Sequence, residues 1–128
     1  MMRTLLACLL ALLFSVQAGA SDEAPAMPAL KAYWFVVLKT GPSREHTAEQ
    51  LQDIQRGHMA HMAAMAEAGK LLIAGPMGEP GEWRGLQIYD EMPREEVEAL
   101  CAADPAVVAG RLVCDIRLWY SQPGGVLR

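Results

Sequence analysis

The chain has 128 residues, of which 52% are apolar and 20% charged, a composition that suits one globular domain and leaves little room for two. Its formal charge is −4 and its lysines and arginines are scattered, so nucleic acid is excluded as a partner class: neutralising phosphates requires basic residues gathered on one face. No Walker loop, dinucleotide fingerprint, GxSxG elbow or HExxH run occurs, which sets aside nucleotide hydrolysis, dinucleotide binding and the common hydrolase chemistries.

In chain order, Arg3, the apolar run Leu5 to Val16 and the small residues Ala18-Gly19-Ala20 read as a cleaved signal peptide over residues 1–20. The run falls short of the roughly 20 residues that span a bilayer. A competing lipoprotein signal at Leu6-Ala7-Cys8 is weaker, because the apolar segment follows Cys8 instead of preceding it. Cleavage removes one base, Arg3, and no acid, taking the charge from −4 to −5. The expected location is therefore exported, in the periplasm, with no membrane contact after cleavage: neither a second apolar span nor a basic amphipathic helix follows. Cys101 and Cys114 survive cleavage. They are either a disulfide, which an oxidising compartment permits, or two small buried apolar residues.

Residues 21–30, with Pro25 and Pro28, read as a flexible lead-in, residues 31–121 as the domain and residues 122–128 as a loose tail. Tyr33 to Lys39 predicts a strand, aromatic and β-branched, stopped by Gly41-Pro42. Both of its alternating sets are apolar, Trp34, Val36 and Leu38 on one face and Tyr33, Phe35 and Val37 on the other, so both faces are expected to be covered. A helix is expected from about Thr47 to Ala68, with Thr47 and Gln50 as a capping box and Gly69 as its stop. Leu71 to Ala74 predicts a second strand, ended by Gly75-Pro76, and Met77 to Glu82 a loop. Gly85 to Tyr89 predicts a third strand, Pro93 to Ala102 a second helix, Asp104-Pro105 a turn or short helix, and Val113 to Trp119 the last strand. The order β-α-β-β-α-β is that of the α+β ferredoxin-like fold with one four-stranded antiparallel sheet. Two helices cover only one face of such a sheet. A second copy packed on the other face as a homodimer is the economical cover, and a folded-over terminus the alternative.

His58 stands out in the first helix. Leu51, Ile54, His58, Met62 and Met65 share one stripe, and an ionisable ring in an apolar stripe is either a core-edge histidine bonded to backbone or a poised acid or base. Asp104 is either a helix stop or N-cap, or a carboxylate placed to hold the His58 tautomer; spacing alone does not show that the two meet. His58, His61, Met62 and Met65 also fall at i, i+3, i+4 and i+7, a soft-ligand set suited to copper, against which stands the ordinary use of methionine as core filler. No thiolate spacing supports a closed metal site, so no metal is expected. Arg84 is either a surface charge or a pocket-mouth cation for an anionic substrate. Trp34, Tyr33 and Trp119 serve equally as an aromatic pocket or as core and dimer contacts. His46, in the loop before the helix, reads as solvated.

The run from His58-Met59-Ala60-His61 through Gly69-Lys70-Leu71 to Ala74-Gly75-Pro76, the pair Arg84-Gly85, and Asp104-Pro105-Ala106-Val107 with Ala109-Gly110 together resemble the YCII-related domain family over about Tyr33 to Tyr120. The resemblance implies a ferredoxin-like fold dimerised into an α/β barrel, and a histidine–aspartate pair that maps onto His58 and Asp104. His61 does not match the family histidine. Leu118 precedes Trp119 where many relatives carry Pro-Trp, a departure expected to bear on the pocket rim. The activity so implied is a cofactor-independent lyase or isomerase step on a small molecule, with His58 and Asp104 catalytic; from their own chemistry, Arg84 and Trp34 are the residues expected to contact substrate. The alternatives are a non-catalytic dimeric binding module with a structural histidine and, more remotely, periplasmic copper binding.

Overall fold

In the computed structural model, Ala26 and Pro28–Gly125 are described; the signal peptide and most of the lead-in lie outside these residues. The elements are β1 (Lys31–Thr40), α1 (Ala48–Glu67), β2 (Leu71–Pro76), β3 (Trp83–Tyr89), α2 (Arg94–Ala102), α3 (Pro105–Val108) and β4 (Leu112–Ser121). They form one four-stranded sheet in the order β2-β3-β1-β4, antiparallel throughout. This is the ferredoxin-like arrangement.

Local chemistry sets the helix ends. The Thr47 hydroxyl accepts from the Gln50 amide, and the Gln50 side chain accepts from the Thr47 amide at 2.8 Å. This reciprocal cap satisfies two otherwise orphaned donors. At the other end Gly69 takes φ +73°. The Lys70 amide then donates to Met65 and the Gly69 amide to Ala66, a Schellman stop that favours a residue without Cβ.

The strands run longer than their sequence patterns indicate. Pairing between β1 and β4 extends from Lys31 opposite Ser121 to Thr40 opposite Leu112. The stop expected at Gly75-Pro76 is corrected: Pro76 lies inside β2, opposite Gly85. β2 is an edge strand, and an edge tolerates a residue with no N–H to donate.

The core lies between the helices and one face of the sheet. Trp34, Val36 and Leu38 of β1 meet Met65 of α1, Leu71 of β2, Tyr89 of β3 and Val97 of α2. Val36 and Val97 are fully buried, each contributing on the order of 2 kcal/mol of transfer free energy. A disulfide from Cys101 to Cys114, with Cα atoms 6.6 Å apart, joins α2 to β4. That separation is within the reach of the bond, so the open question about the two thiols closes on the bonded form.

The opposite face is also apolar. Val37 and Ile88 are buried, while Ile73, Val113 and Trp119 stay exposed. Trp119 packs its ring against Tyr33 and edge-on against Phe35, with centroids 6.1 and 6.0 Å away. Asp115 lies between Lys39 and Arg117 on the same face.

Candidate active site

A cleft of about 850 Å³ opens between α1 and the β2–β3 half of the sheet, within the usual range for small-molecule sites. Its walls are mostly apolar, from Leu51, Ile54 and Met62 to Leu38 and Leu112, and His58 and Gln87 are set into them. His58, Gln87 and Asp104 are the buried polar side chains of the described domain.

His58 and Asp104 meet. Nδ1 of His58 lies 2.6 Å from Oδ2 of Asp104, with both side chains buried. The second carboxylate oxygen accepts from the Ala106 amide at 2.8 Å, so Asp104 also caps α3. Asp104 is thus held from two sides. Since the carboxylate only accepts, Nδ1 carries the proton and donates it, and the lone pair of the neutral ring falls on Nε2. Nε2 has no protein partner among the described residues.

The approach of α3 to α1 depends on a small residue. A Cβ at Gly57 would sit 3.0 Å from the Pro105 ring. Gly57 immediately precedes His58, and Pro105 immediately follows Asp104. The close contact between these neighbours lets 46 residues of separation collapse to one hydrogen bond.

His61, one turn on, does something different. Its Nε2 donates to the Leu100 carbonyl at 2.8 Å and ties α1 to α2. Met65 is in the core, its sulfur 3.6 Å from the Tyr89 hydroxyl. The two histidines of the copper stripe are therefore directed at separate partners, and Met65 is packed in the core. Among the described residues no group of three or more His, Cys, Asp or Glu is arranged to hold a metal. His46 is half-buried rather than solvated, with its Nδ1 closed off.

Arg84 lines the cleft. Trp34 does not: its ring is in the core, its Nε1 donates to the Met92 carbonyl at 2.9 Å, and Arg94 stacks over it. The strand phase that directs Trp34 toward the helices directs it to their far end, beside the loop leading into α2. Tyr33 and Trp119 point to the other face of the sheet; Leu118, opposite Trp34 on the helix-covered face, is exposed and does not line the cleft.

Three cleft residues went unnoticed in the sequence. Gln87 is 2% exposed; its carbonyl oxygen accepts from the Tyr89 hydroxyl at 2.9 Å and its amide nitrogen has no partner. Burial, then the Asp104 charge, push the Tyr89 phenol well above its ordinary value, so it remains a donor. A glutamine between Leu86 and Ile88 in a central strand was the available signal. Arg44 and Arg111, which also line the cleft, carried none.

A ferredoxin-like α+β domain with a buried histidine–aspartate pair opening into a cleft on its helix-covered side is the class these features define. The chain belongs to the YCII-related domain family, whose model matches residues 33–119. Among solved structures it is similar to 5-chloro-2-hydroxyhydroquinone dehydrochlorinase from Burkholderia phenoliruptrix AC1100, determined in complex with 2,5-dihydroxybenzoquinone. The identity is 18% and the TM-score 0.51, over 67% of this chain and 92% of that one. A likeness at this level shows the shared fold. No curated protein matches the chain.

Proposed function

We propose that the protein is a small-molecule enzyme of lyase or isomerase type in which His58 moves a proton and Asp104 steadies it. The observation that carries the reading is the 2.6 Å contact from Nδ1 to a buried carboxylate in a ring that borders the cleft. That contact leaves Nε2 as the basic nitrogen. Nε2 would take a proton from a substrate carbon or hydroxyl, and Asp104 would stabilise the imidazolium formed. The released electron pair would then expel an anionic leaving group, or the proton would return to another carbon. Neither route calls for a cofactor. The structural relative's dehydrochlorination is a step of the first kind.

The protein would work after export, which agrees with a disulfide suited to an oxidising compartment. It would work as a homodimer closed over the apolar face around Trp119; equilibrium sedimentation giving the mass of a single chain would refute that part.

Polyhydroxylated and halogenated aromatic rings, beginning with 5-chloro-2-hydroxyhydroquinone, form the first screen. For a compound that is consumed, His58→Gln should lower turnover by about 10²–10⁴-fold with an unchanged melting temperature. A folded His58→Gln variant that retains full turnover would remove the catalytic role. One observation favours a second reading, a non-catalytic binding module: Asp104 already has structural work as the cap of α3. In that case ligands raise the melting temperature and are recovered unchanged.

A further inference from the structure

The cleft has a charge pattern opposite to that of the protein. The chain is acidic, at −4, yet the residues lining the cleft include Arg44, Arg84 and Arg111 and no aspartate or glutamate. Among the described residues, none of the three guanidiniums is paired with a carboxylate. The fold builds this cluster deliberately. The Gly41 amide donates to the Arg111 carbonyl at 2.7 Å and the Ser43 amide to Gly110 at 2.9 Å, and a Cβ at Gly41 would run into the Gly110 backbone. The Arg44 guanidinium donates to the same Arg111 carbonyl at 3.0 Å. Burial and then the positive charges of Arg44 and Arg84 push the Arg111 guanidinium down.

The floor of the cleft holds a second unanswered group. The Tyr89 hydroxyl fixes the Gln87 amide by its oxygen, and the unpartnered nitrogen is a buried donor belonging to a residue that lines the cleft. An orphaned donor of this kind costs about 1–3 kcal/mol in desolvation, which a ligand oxygen would relieve. Gln87 and Arg84 are three residues apart on β3, about 10 Å along a strand.

We propose that the cleft takes a small organic acid, with its carboxylate held by Arg44, Arg84 and Arg111 at the mouth and a carbonyl or hydroxyl oxygen at its inner end bonded by the Gln87 amide beside His58. The inference rests on the reading of this cleft as the substrate site and adds the substrate class. Guanidinium forks match a carboxylate in two-point geometry. A neutral ligand would leave three cations facing one another.

The test is binding to the isotope-labelled mature chain of matched pairs, aromatic and aliphatic carboxylic acids each set against its own neutral primary amide. The acids should bind at least about tenfold tighter at low salt, with the preference shrinking near 1 M salt, where the Debye length is about 3 Å. Arg84→Gln combined with Arg111→Gln should erase the preference, and the side-chain amide resonance of Gln87 should move as an acid is added. Equal binding of acids and amides, absence of binding by any acid, or a Gln87 resonance that stays still during saturation would each overturn the proposal. The same titration in His58→Gln separates the two ideas. A turnover that survives that substitution, alongside an intact acid preference, sinks the catalytic role alone; a lost preference with a catalytically dead His58→Gln sinks the acid class alone.

Discussion

The two faces of this sheet are built from the same alternating strand, yet they hold their polar groups in different ways. On the helix side, His58, Asp104 and Gln87 are buried with few, directed partners. On the other, Lys39, Asp115 and Arg117 form a half-exposed ion-pair row beside the aromatic group of Tyr33, Phe35 and Trp119. A buried polar group contributes through geometry, because a lost partner is not replaced by water. An exposed pair contributes little, because water and salt replace it. Chemistry is therefore expected on the first face and association on the second.

The largest effect expected from breaking this contrast comes from Asp104→Asn. The asparagine oxygen still caps α3 at Ala106, and its NH₂ group faces His58 as a donor. His58 must then present a bare Nδ1 and carry its proton on Nε2, the wrong tautomer for a base. Activity should fall by about 10²–10⁴-fold, with the melting temperature little changed. Nitrogen chemical shifts of the ring check the tautomer directly, and a proton still found on Nδ1 would contradict the argument.

Reducing the Cys101–Cys114 disulfide comes next. It opens a loop of sequence separation 13, for which chain-entropy loss predicts about 3 kcal/mol of stabilisation. Urea unfolding with and without reductant measures this. Because the bond joins α2 to β4, reduction should loosen the helix-covered side first, read as faster amide exchange in α2 than around Trp119.

The smallest effect belongs to the ion pairs. Hydrogen bonds from Arg117 and then Lys39 hold the Asp115 carboxyl below its ordinary 3.8. Lys31 and then the Glu91 amide do the same for Asp90. With folded values below unfolded ones, the stabilisation is fully present above about pH 4 and is lost as pH falls through the depressed values. The urea midpoint should thus be insensitive to these groups at neutral pH and decline on acidification from about pH 4 to pH 2. Asp115→Asn should make that decline shallower, and an identical acid profile in the variant would remove Asp115 from the account.

Much of the fold was legible before any coordinates. The capping box at Thr47 and Gln50, the stop at Gly69 and the helix-opening Pro93 are local signals read within a few residues, and the structure keeps all three. Strand ends were less legible, since Lys31 and Ser121 become strand by pairing with each other across the chain. Trp34 shows the limit for the site. Alternation grouped it with Val36 and Leu38 on one face, but gave neither which face the helices cover nor at which end of them it falls, and it lies in the core beside Met92.

Alone, the sequence determined the alternation of strands and helices, one ionisable ring in an otherwise apolar stripe, and, through family resemblance, the aspartate to seek. Tertiary structure decided that Asp104 reaches His58 across the Gly57 and Pro105 contact, that Gln87 is left with a free amide, and that Arg44, Arg84 and Arg111 face one mouth. The reason is physical. Helix caps and strand alternation depend on neighbours a few bonds away, whereas the charge and hydrogen-bonding state of a cleft depend on groups that only the packed chain brings within a few ångströms.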